Sequence, residues 1–259
     1  MSTLNYCTLK TGNRLAYRQD NADAPGTGIF WLGGYKSDME GTKAEALSAA
    51  ARAAKRPCLR FDYSGHGRSK GEFADFTVSD WLSDALTMFL KIAKGPQIIA
   101  GSSMGGYIAL LLARALQHSH RDELQRIKGM VLIAPAADMT EALLWGKLDE
   151  AARSEILSRG QWPMPSVYGE GYVITRKLIE DGRQHLILDQ GTAVDFPVRI
   201  LHGENDPDVP WQHGLRLFNS LTAEDASFTL IKHGDHRLSS ARDIATIVDT
   251  VEALIKDRR

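Results

Sequence analysis

The sequence predicts an α/β protein with a mostly parallel central sheet, helices on both faces of that sheet, and a helical insertion that forms a cap. Short apolar runs recur along the chain, which is typical of strands buried on both faces of a parallel sheet. Longer stretches with helical spacing separate these runs. Strands that alternate with helices in this way indicate a parallel sheet covered on both sides.

The strands are predicted in chain order from a hairpin. Residues 5–9 and 14–18 flank a Thr-Gly-Asn turn at residues 11–13, which is a hairpin signal. The next predicted strand, residues 28–32, is an apolar run that ends at two glycines. Further strands of the same apolar character are predicted at residues 57–61, 97–100, 130–134, 198–202 and 228–231.

The helices are predicted between these strands, at residues 42–55, 78–93, 104–116, 211–221 and 239–255. Residues 136–194 interrupt the alternation because they contain no clear strand for the central sheet. An insertion at this point would lie over the ends of the strands. We therefore predict a core of residues 1–135 and 195–259 and a cap of residues 136–194.

Composition excludes several classes of protein. The net charge is -1 and no stretch is strongly basic, which argues against nucleic acid as a partner. Cys7 and Cys58 lie far apart and form neither a metal-ligand pair nor a disulfide framework. The longest apolar run, residues 108–113, is too short to span a bilayer, and no signal peptide is recognisable. We expect a cytoplasmic protein without stable membrane insertion, cofactor or metal.

The strongest local motif is a candidate nucleophile. Residues 101–105 read Gly-Ser-Ser-Met-Gly and fit the pattern G-x-S-x-G between a predicted strand and a predicted helix. In such a nucleophile elbow a sharp, strained turn presents the serine to its base, and side chains two residues to either side would collide. Glycine at both flanking positions selects Ser103, because Ser102 would need glycine where Ala100 and Met104 stand.

Two later strand ends supply a candidate acid and a candidate base. The predicted strand 198–202 leads to Asp206, and the predicted strand 228–231 leads to His236. Catalytic groups in open α/β sheets collect at the carboxyl ends of strands, so these residues are predicted to meet Ser103. His236 would accept the serine proton, while Asp206 would fix the tautomer of the imidazole and stabilise its protonated form.

Neighbouring residues compete for these roles. Asp206 competes with Asp208 and Glu204, and we prefer it because it stands just before the turn closes at residues 209–210. His233 competes for the role of base; the alternative interpretation is that His233 is a solvated residue in a turn. His202 is expected to be structural because it lies on the strand itself. The remaining histidines have no matching acid nearby and no metal-ligand spacing: His66, His118, His120, His185 and His213.

An oxyanion hole is predicted from two turns. Backbone N–H donors stabilise the negative charge of a tetrahedral intermediate, and losing one donor typically costs about 100- to 1,000-fold in rate. One donor is expected at Met104, the residue after the nucleophile. The second is expected at Tyr35, in the turn after the strand 28–32. The alternative is that Gly33 and Gly34 form a plain glycine turn.

These residues together resemble the α/β-hydrolase superfamily, in which a loop like residues 62–69 accompanies the elbow. A closer resemblance, from about residue 30 to residue 237, is to the mitochondrial palmitoyl-protein thioesterases, also named mycophenolic acid acyl-glucuronide esterases. It implies thioester or activated-ester hydrolysis by Ser103, Asp206 and His236. The family has proline where this chain has Gly33, in the turn predicted to carry an oxyanion donor. The family also has a transit peptide that is not seen here, so a bacterial relative is expected. The most specific segments are residues 41–43 (Gly-Thr-Lys), residues 60–65 (Arg-Phe-Asp-Tyr-Ser-Gly), Trp162, residues 164–166 (Met-Pro-Ser) and Tyr168.

The cap is rich in large apolar and aromatic side chains: Trp145, Trp162, Met164, Tyr168 and Tyr172. Most are expected only to pack the cap onto the sheet. A ligand pocket in this fold must nevertheless be closed from above, and such pockets are mostly apolar. Trp162 and Met164 are predicted to lie in a proline-constrained loop, so we predict that Trp162 or Met164 lines the acyl site.

The leading functional hypothesis is a carboxylesterase or thioesterase that works through an acyl-enzyme. Its partner would be a small acyl ester or acyl-thioester, or an acylated protein. Dehalogenases and epoxide hydrolases use a carboxylate nucleophile, so serine at position 103 argues against both. A carbon–carbon bond hydrolase or small peptidase would use the same triad. A binding protein that kept only the fold should have lost a triad member.

Overall fold

The structure, a computed structural model, describes residues 2–164 and 171–257. Eight of its strands form one sheet: β1 (Leu4–Thr8), β2 (Arg14–Asp20), β3 (Gly28–Leu32), β4 (Cys58–Phe61), β5 (Gln97–Ser102), β6 (Ile127–Ile133), β9 (Val198–Gly203) and β10 (Ala226–Ile231). Two more, β7 (Gln161–Met164) and β8 (Tyr172–Thr175), form a separate antiparallel pair, the cap hairpin. Among these residues no helix is both long and apolar enough to cross a bilayer.

The order of strands in the sheet is β1-β2-β4-β3-β5-β6-β9-β10. The pairs β1–β2 and β2–β4 are antiparallel, and every other neighbouring pair is parallel. The chain reverses its direction of travel across the sheet at β3, because β4 lies on one side of it and β5 on the other. The turns after β3 and β5 therefore meet at a topological switch point, where open α/β sheets place their ligands.

Helices cover both faces of the sheet: α1 (Thr42–Ala53), α2 (Val78–Lys91), α3 (Met104–Ser119), α4 (Arg121–Leu124), α5 (Glu150–Arg159), α6 (Arg176–Gly182), α7 (Trp211–Ser220) and α8 (Ala241–Lys256). Side chains of β3 alternate between two buried clusters. Ile29 and Trp31 pack with α1 and α8, while Phe30 and Leu32 pack with α2, α3 and α7. This explains the unbroken apolar runs and confirms the predicted mostly parallel sheet with helices on both faces.

The start of α2 shows how sequence sets a helix boundary. The Thr77 side chain and the Asp80 carboxylate form a capping box, in which the Thr77 N–H donates to Asp80 at 2.9 Å. Trp81, Ala85 and Met88 then follow at helical spacing, and all three are buried. The same device, with Ser240 and Asp243, begins α8.

The cap contains more than helices. It begins with a π-helical turn at Met139–Leu144, continues through α5, the cap hairpin and α6, and returns to the sheet at β9. The prediction that Trp162 and Met164 lie in a loop is wrong, because both are on β7. Proline is compatible with a two-stranded ribbon, where one edge of each strand needs no partner, so Pro163 does not prevent the strand. Tyr168 lies outside the described residues.

Candidate active site

Ser103 sits on a strained turn between β5 and α3. Its φ is 54° and its ψ is -117°, a region that residues other than glycine rarely adopt. The backbone is held there from both sides. The Ser103 N–H donates to the Ile133 carbonyl at 2.8 Å, and the Ser103 carbonyl accepts from the Ala136 N–H at 3.1 Å. Such strain costs on the order of 1–3 kcal/mol and persists only where the surroundings fix it.

The glycines that flank this turn have no room for a side chain. A Cβ atom at Gly101 would lie 2.5 Å from the Gly105 carbonyl oxygen. A Cβ atom at Gly105 would lie 2.0 Å from the Leu32 carbonyl oxygen at the end of β3. These close approaches are the physical reason for the G-x-S-x-G spacing, and they bring the first turn of α3 against the end of β3.

A chain of hydrogen bonds joins the predicted acid, base and nucleophile. His236 Nε2 lies 3.1 Å from Ser103 Oγ, and His236 Nδ1 lies 2.8 Å from Asp206 Oδ2. The Asp206 side chain is fully buried, whereas the His236 side chain is 17% exposed. In this arrangement the imidazole can take a proton from the serine while the carboxylate stabilises the resulting positive charge.

The Asp206 carboxylate is fixed by its own backbone turn. Its Oδ1 accepts the Asp208 N–H at 2.9 Å and the Val209 N–H at 2.8 Å. Burial alone would raise the pKa of Asp206. Its contacts with His202 and His236, together with the Val209 N–H, outweigh burial and hold that pKa below its ordinary range. The group is therefore ionised, as the orienting acid must be.

The competing candidates occupy other positions. Glu204 forms an ion pair with Lys232, and the His233 side chain is 77% exposed. His202 is fully buried on β9, with Nε2 at 2.9 Å from the Val209 carbonyl, as expected of a structural residue. Hydrogen-bond geometry thus favours Asp206 over Glu204 and Asp208 as the partner of the imidazole.

Asp206, Asp208 and His236 each offer one ligand atom for a metal, and these atoms lie within 4.8 Å of one another. Two carboxylates and an imidazole are a chemically reasonable ligand set for a divalent cation. However, an Asp206 oxygen and His236 Nδ1 are already joined by the 2.8 Å hydrogen bond. We therefore assign Asp206 and His236 to the hydrogen-bonded chain that ends at Ser103, and not to a metal site.

Met104 directly follows Ser103, and the turn that contains Tyr35 packs against the elbow. The Met104 N–H belongs to the first turn of α3, where backbone donors have no intrahelical acceptor. Residues 33–37, here called the oxyanion turn, follow β3. A Cβ atom at Gly34 would lie 3.3 Å from the Ser102 carbonyl oxygen and 3.5 Å from Ser103 Cβ, so this turn packs directly against the elbow. Tyr35 is the next residue along the turn.

The cap reaches the oxyanion turn through aromatic contacts. The centroid of the Tyr35 ring lies 5.3 Å from that of Tyr172 on β8, and 4.7 Å from that of Phe73. Tyr172 pairs with Met164 across the cap hairpin, and Trp162 lies two residues along β7. Trp162 and Met164 are both partly buried and pack against the larger buried cluster. The cap hairpin therefore lies next to the residue that carries the second predicted donor.

Sequence reasoning missed His66. It is 3% exposed, its Nδ1 lies 3.2 Å from the Ser64 carbonyl, and its Nε2 accepts the Lys36 N–H at 3.2 Å. Burial lowers the pKa of His66 to about 4; the hydrogen bond with Ser64 opposes this shift and the charge of Lys36 adds to it. The available signal was the loop of residues 62–69, which accompanies the elbow in the α/β-hydrolase superfamily.

Acid should destabilise the protein through His66. The unfolded state binds a proton at a pKa of about 6.5, whereas the folded state does so only at about 4. Between these values the unfolded chain binds more protons than the folded one. The free energy of unfolding should therefore decrease as the pH is lowered, by about 2 kcal/mol from pH 7 to pH 5. Chemical denaturation of the wild type and His66→Gln at pH 7 and pH 5 measures this. An equal pH dependence in both proteins would contradict the prediction.

Sequence and structure are similar to known proteins over nearly the whole chain. A profile described as the alpha/beta hydrolase family matches residues 24–249. The Mus musculus protein "Palmitoyl-protein thioesterase ABHD10, mitochondrial" is 36% identical over 245 residues, which cover 93% of this chain and 78% of that protein. A crystal structure of a putative hydrolase from Agrobacterium vitis S4 has a TM-score of 0.92 at 39% identity, covering 98% of each chain. The mouse alpha/beta hydrolase domain-containing protein 10 has a TM-score of 0.89 at 32% identity, covering 100% of each chain.

Proposed function

This chain belongs to the alpha/beta hydrolase family, and from that premise we propose that it is a serine hydrolase of acyl esters or acyl-thioesters. The resemblance to palmitoyl-protein thioesterases predicted from the sequence is confirmed by the comparisons. The observation that carries the proposal is the hydrogen-bonded chain from Asp206 through His236 to Ser103. A binding protein that had lost catalysis would have no reason to keep both hydrogen bonds.

The proposed reaction has two halves. In the first, His236 Nε2 takes the proton of Ser103 as Oγ attacks the acyl carbon. The N–H groups of Met104 and Tyr35 then stabilise the oxyanion. Collapse of the intermediate breaks the bond to the alcohol or thiol, which receives the proton from His236, and leaves an acyl-serine. In the second half, water gives a proton to His236 as it attacks the acyl carbon. The bond between that carbon and Ser103 Oγ then breaks, His236 returns the proton to Oγ, and the carboxylic acid is released.

The relative's name supports a thioester as the first substrate to test. That mouse protein is described as a palmitoyl-protein thioesterase, which makes a long acyl chain on a thiol the leading candidate. An acylated protein and a small acyl-thioester present the same bond to Ser103. The cytoplasmic location expected from the sequence stays a prediction.

The test is a substrate panel. The p-nitrophenyl esters of rising acyl length are compared with acyl-thioesters of the same lengths, and kcat/KM is measured for each. We expect saturable hydrolysis in both series, with a length preference that is common to the two because the acyl group occupies the same site. Absence of hydrolysis in both series, together with absence of labelling by a fluorophosphonate, would refute the proposal.

The acyl chain should bind under the cap hairpin. Trp162 and Met164 are partly buried beside Tyr172, whose ring meets Tyr35. Truncating a side chain that lines an apolar pocket changes discrimination by roughly 10-fold or more per lost contact. In Trp162→Ala or Met164→Ala we therefore expect the ratio of kcat/KM for long and short acyl chains to change by about that factor, while a small ester is still hydrolysed.

A control in the same segment is available. Leu157 on α5 is 52% exposed, so Leu157→Ala removes mainly solvent-exposed apolar surface from the cap and should leave the ratio unchanged. If both hairpin variants keep the wild-type ratio and a wild-type circular dichroism spectrum, the acyl pocket is built from other residues.

A further inference from the structure

We infer that His66 is a positioning residue that holds the oxyanion turn in its working shape through the backbone N–H of Lys36. The inference rests on the proposed hydrolase function, because it assigns a role in transition-state stabilisation. It also assigns a role to the loop of residues 62–69, here called the His66 loop. That loop has no part in the catalytic chain of Ser103, His236 and Asp206.

The oxyanion turn needs an external support. Lys36 has a φ of 56°, a left-handed conformation that is uncommon for a residue other than glycine. The turn is closed by Ser37, whose N–H and Oγ both donate to the Gly34 carbonyl, at 3.1 and 2.8 Å. Neither bond involves the peptide group between Tyr35 and Lys36. The N–H of this peptide group belongs to Lys36 and donates to His66 Nε2. The preceding peptide group carries the Tyr35 N–H, which is proposed to bind the oxyanion.

The tautomer of His66 follows from its two partners. A carbonyl oxygen can only accept, so Nδ1 must carry the hydrogen that points to Ser64, at 3.2 Å. The lone pair of Nε2 is then free to accept the Lys36 N–H, also at 3.2 Å. Only the neutral imidazole can make both bonds at once. Burial keeps the ring neutral at neutral pH, since it lowers the pKa of His66 to about 4.

The same two aromatic residues pack against His66 and against Tyr35. The His66 ring centroid lies 5.0 Å from that of Phe73 and 5.5 Å from that of Trp81. The Tyr35 ring contacts the same two residues, with centroids at 4.7 and 5.7 Å. Because Phe73 and Trp81 contact both rings, they fix the His66 imidazole and Tyr35 relative to each other. The position of the imidazole therefore affects the conformation of the oxyanion turn.

The His66 loop is held by its own hydrogen bonds and by a tight turn. Gly67 has a φ of 46°, and a Cβ atom there would lie 2.4 Å from the Asp62 carboxylate. That carboxylate accepts the Arg68 N–H at 2.8 Å and the Met39 N–H at 2.6 Å. Met39, like Lys36, belongs to the connection between β3 and α1. The loop therefore supports this connection at two backbone N–H groups, and one of them adjoins Tyr35.

Removing the acceptor should weaken binding of the transition state more than binding of the substrate. Complete loss of an oxyanion donor costs about 100- to 1,000-fold in kcat. Loosening the turn that carries a donor should cost less, and we expect kcat for p-nitrophenyl acetate to fall about 10-fold in His66→Leu, with KM nearly unchanged. His66→Gln keeps a side-chain oxygen that can accept the Lys36 N–H, so it should recover much of the lost kcat.

The specific readout is a trifluoromethyl ketone inhibitor. Ser103 Oγ adds to its carbonyl carbon while the serine proton passes to His236, and the adduct carries an oxyanion at the proposed hole. Its affinity should fall in parallel with kcat/KM from wild type through His66→Gln to His66→Leu. His185→Leu is the matched control, since it also removes a hydrogen-bonded imidazole, here a partly buried one whose Nε2 lies 2.7 Å from Ser79 Oγ. That variant should keep wild-type kcat and inhibitor affinity.

The outcomes separate the inference from the function on which it rests. Wild-type kcat and inhibitor affinity in His66→Leu would overturn the inference. So would equal losses of thermal stability and kcat in the Leu and Gln variants with inhibitor affinity unchanged, because His66 would then be structural. If His66→Leu does not fold, His66→Asn replaces it, since the shorter amide reaches Ser64 but not Lys36. A wild-type protein that neither hydrolyses esters nor reacts with a fluorophosphonate would instead refute the hydrolase proposal.

Discussion

Ser103→Ala should abolish turnover of every ester and thioester and leave the fold intact. No other hydroxyl lies in hydrogen-bond contact with His236 Nε2 among the described residues. Alanine keeps the Cβ atom, so it imposes the same backbone strain at a φ of 54° as serine does. Loss of a serine nucleophile costs on the order of 10⁶ in kcat.

The measurement is labelling by a fluorophosphonate followed by peptide mass spectrometry, with circular dichroism to verify folding. Ser102 provides a matched control, because it is the adjacent hydroxyl and ends β5. Ser102→Ala should be labelled like the wild type. Labelling that persists in Ser103→Ala would disprove the assignment of the nucleophile.

Asp206→Asn should lower kcat by about 10⁴, the cost of losing the orienting carboxylate in the best-studied triad. The amide preserves the size of the side chain but cannot stabilise the protonated imidazole, and it favours the wrong tautomer of His236. Asp208→Asn is the control. Asp208 contributes its backbone N–H to Asp206, and asparagine retains that N–H, so its effect should be far smaller.

Steady-state kinetics with chemistry rate-limiting distinguish the two variants. A large loss in Asp208→Asn combined with a small loss in Asp206→Asn would transfer the role of acid to Asp208. Equal large losses would indicate that the whole turn between β9 and α7 had been disturbed, which the melting temperatures of the two variants would reveal.

The elbow could be predicted because its motif is contiguous in the sequence. A side chain at Gly101 would clash with the backbone of the elbow itself, whereas one at Gly105 would clash with the end of β3, and the spacing of the two glycines records both constraints. The choice among Asp206, Asp208 and Glu204 was harder, because all three follow the same strand. The choice depends on which carboxylate accepts the backbone N–H groups of the turn. In the structure, the N–H groups of residues 208 and 209 donate to Asp206.

The cap and the His66 contact could not be predicted in the same way. β7 has only four residues and contains Pro163, which disfavours a strand assignment, so its alternation between exposed and partly buried side chains is too short to be a strong strand signal. His66 and Lys36 are separated by 30 positions. No spacing rule connects a loop histidine to a distant backbone N–H, and only the tertiary fold brings the two together.

The order of the strands distributes the proposed machinery unevenly between stable and less stable parts of the molecule. The nucleophile and the oxyanion turn follow β5 and β3, interior strands with neighbours on both sides. The base follows β10, an edge strand with one neighbour and mostly half-buried or exposed side chains. Edge elements open more readily than the centre of a sheet. Local opening at β10 would therefore withdraw the imidazole while the strained serine stayed in place, and the proposed activity would be lost without global unfolding.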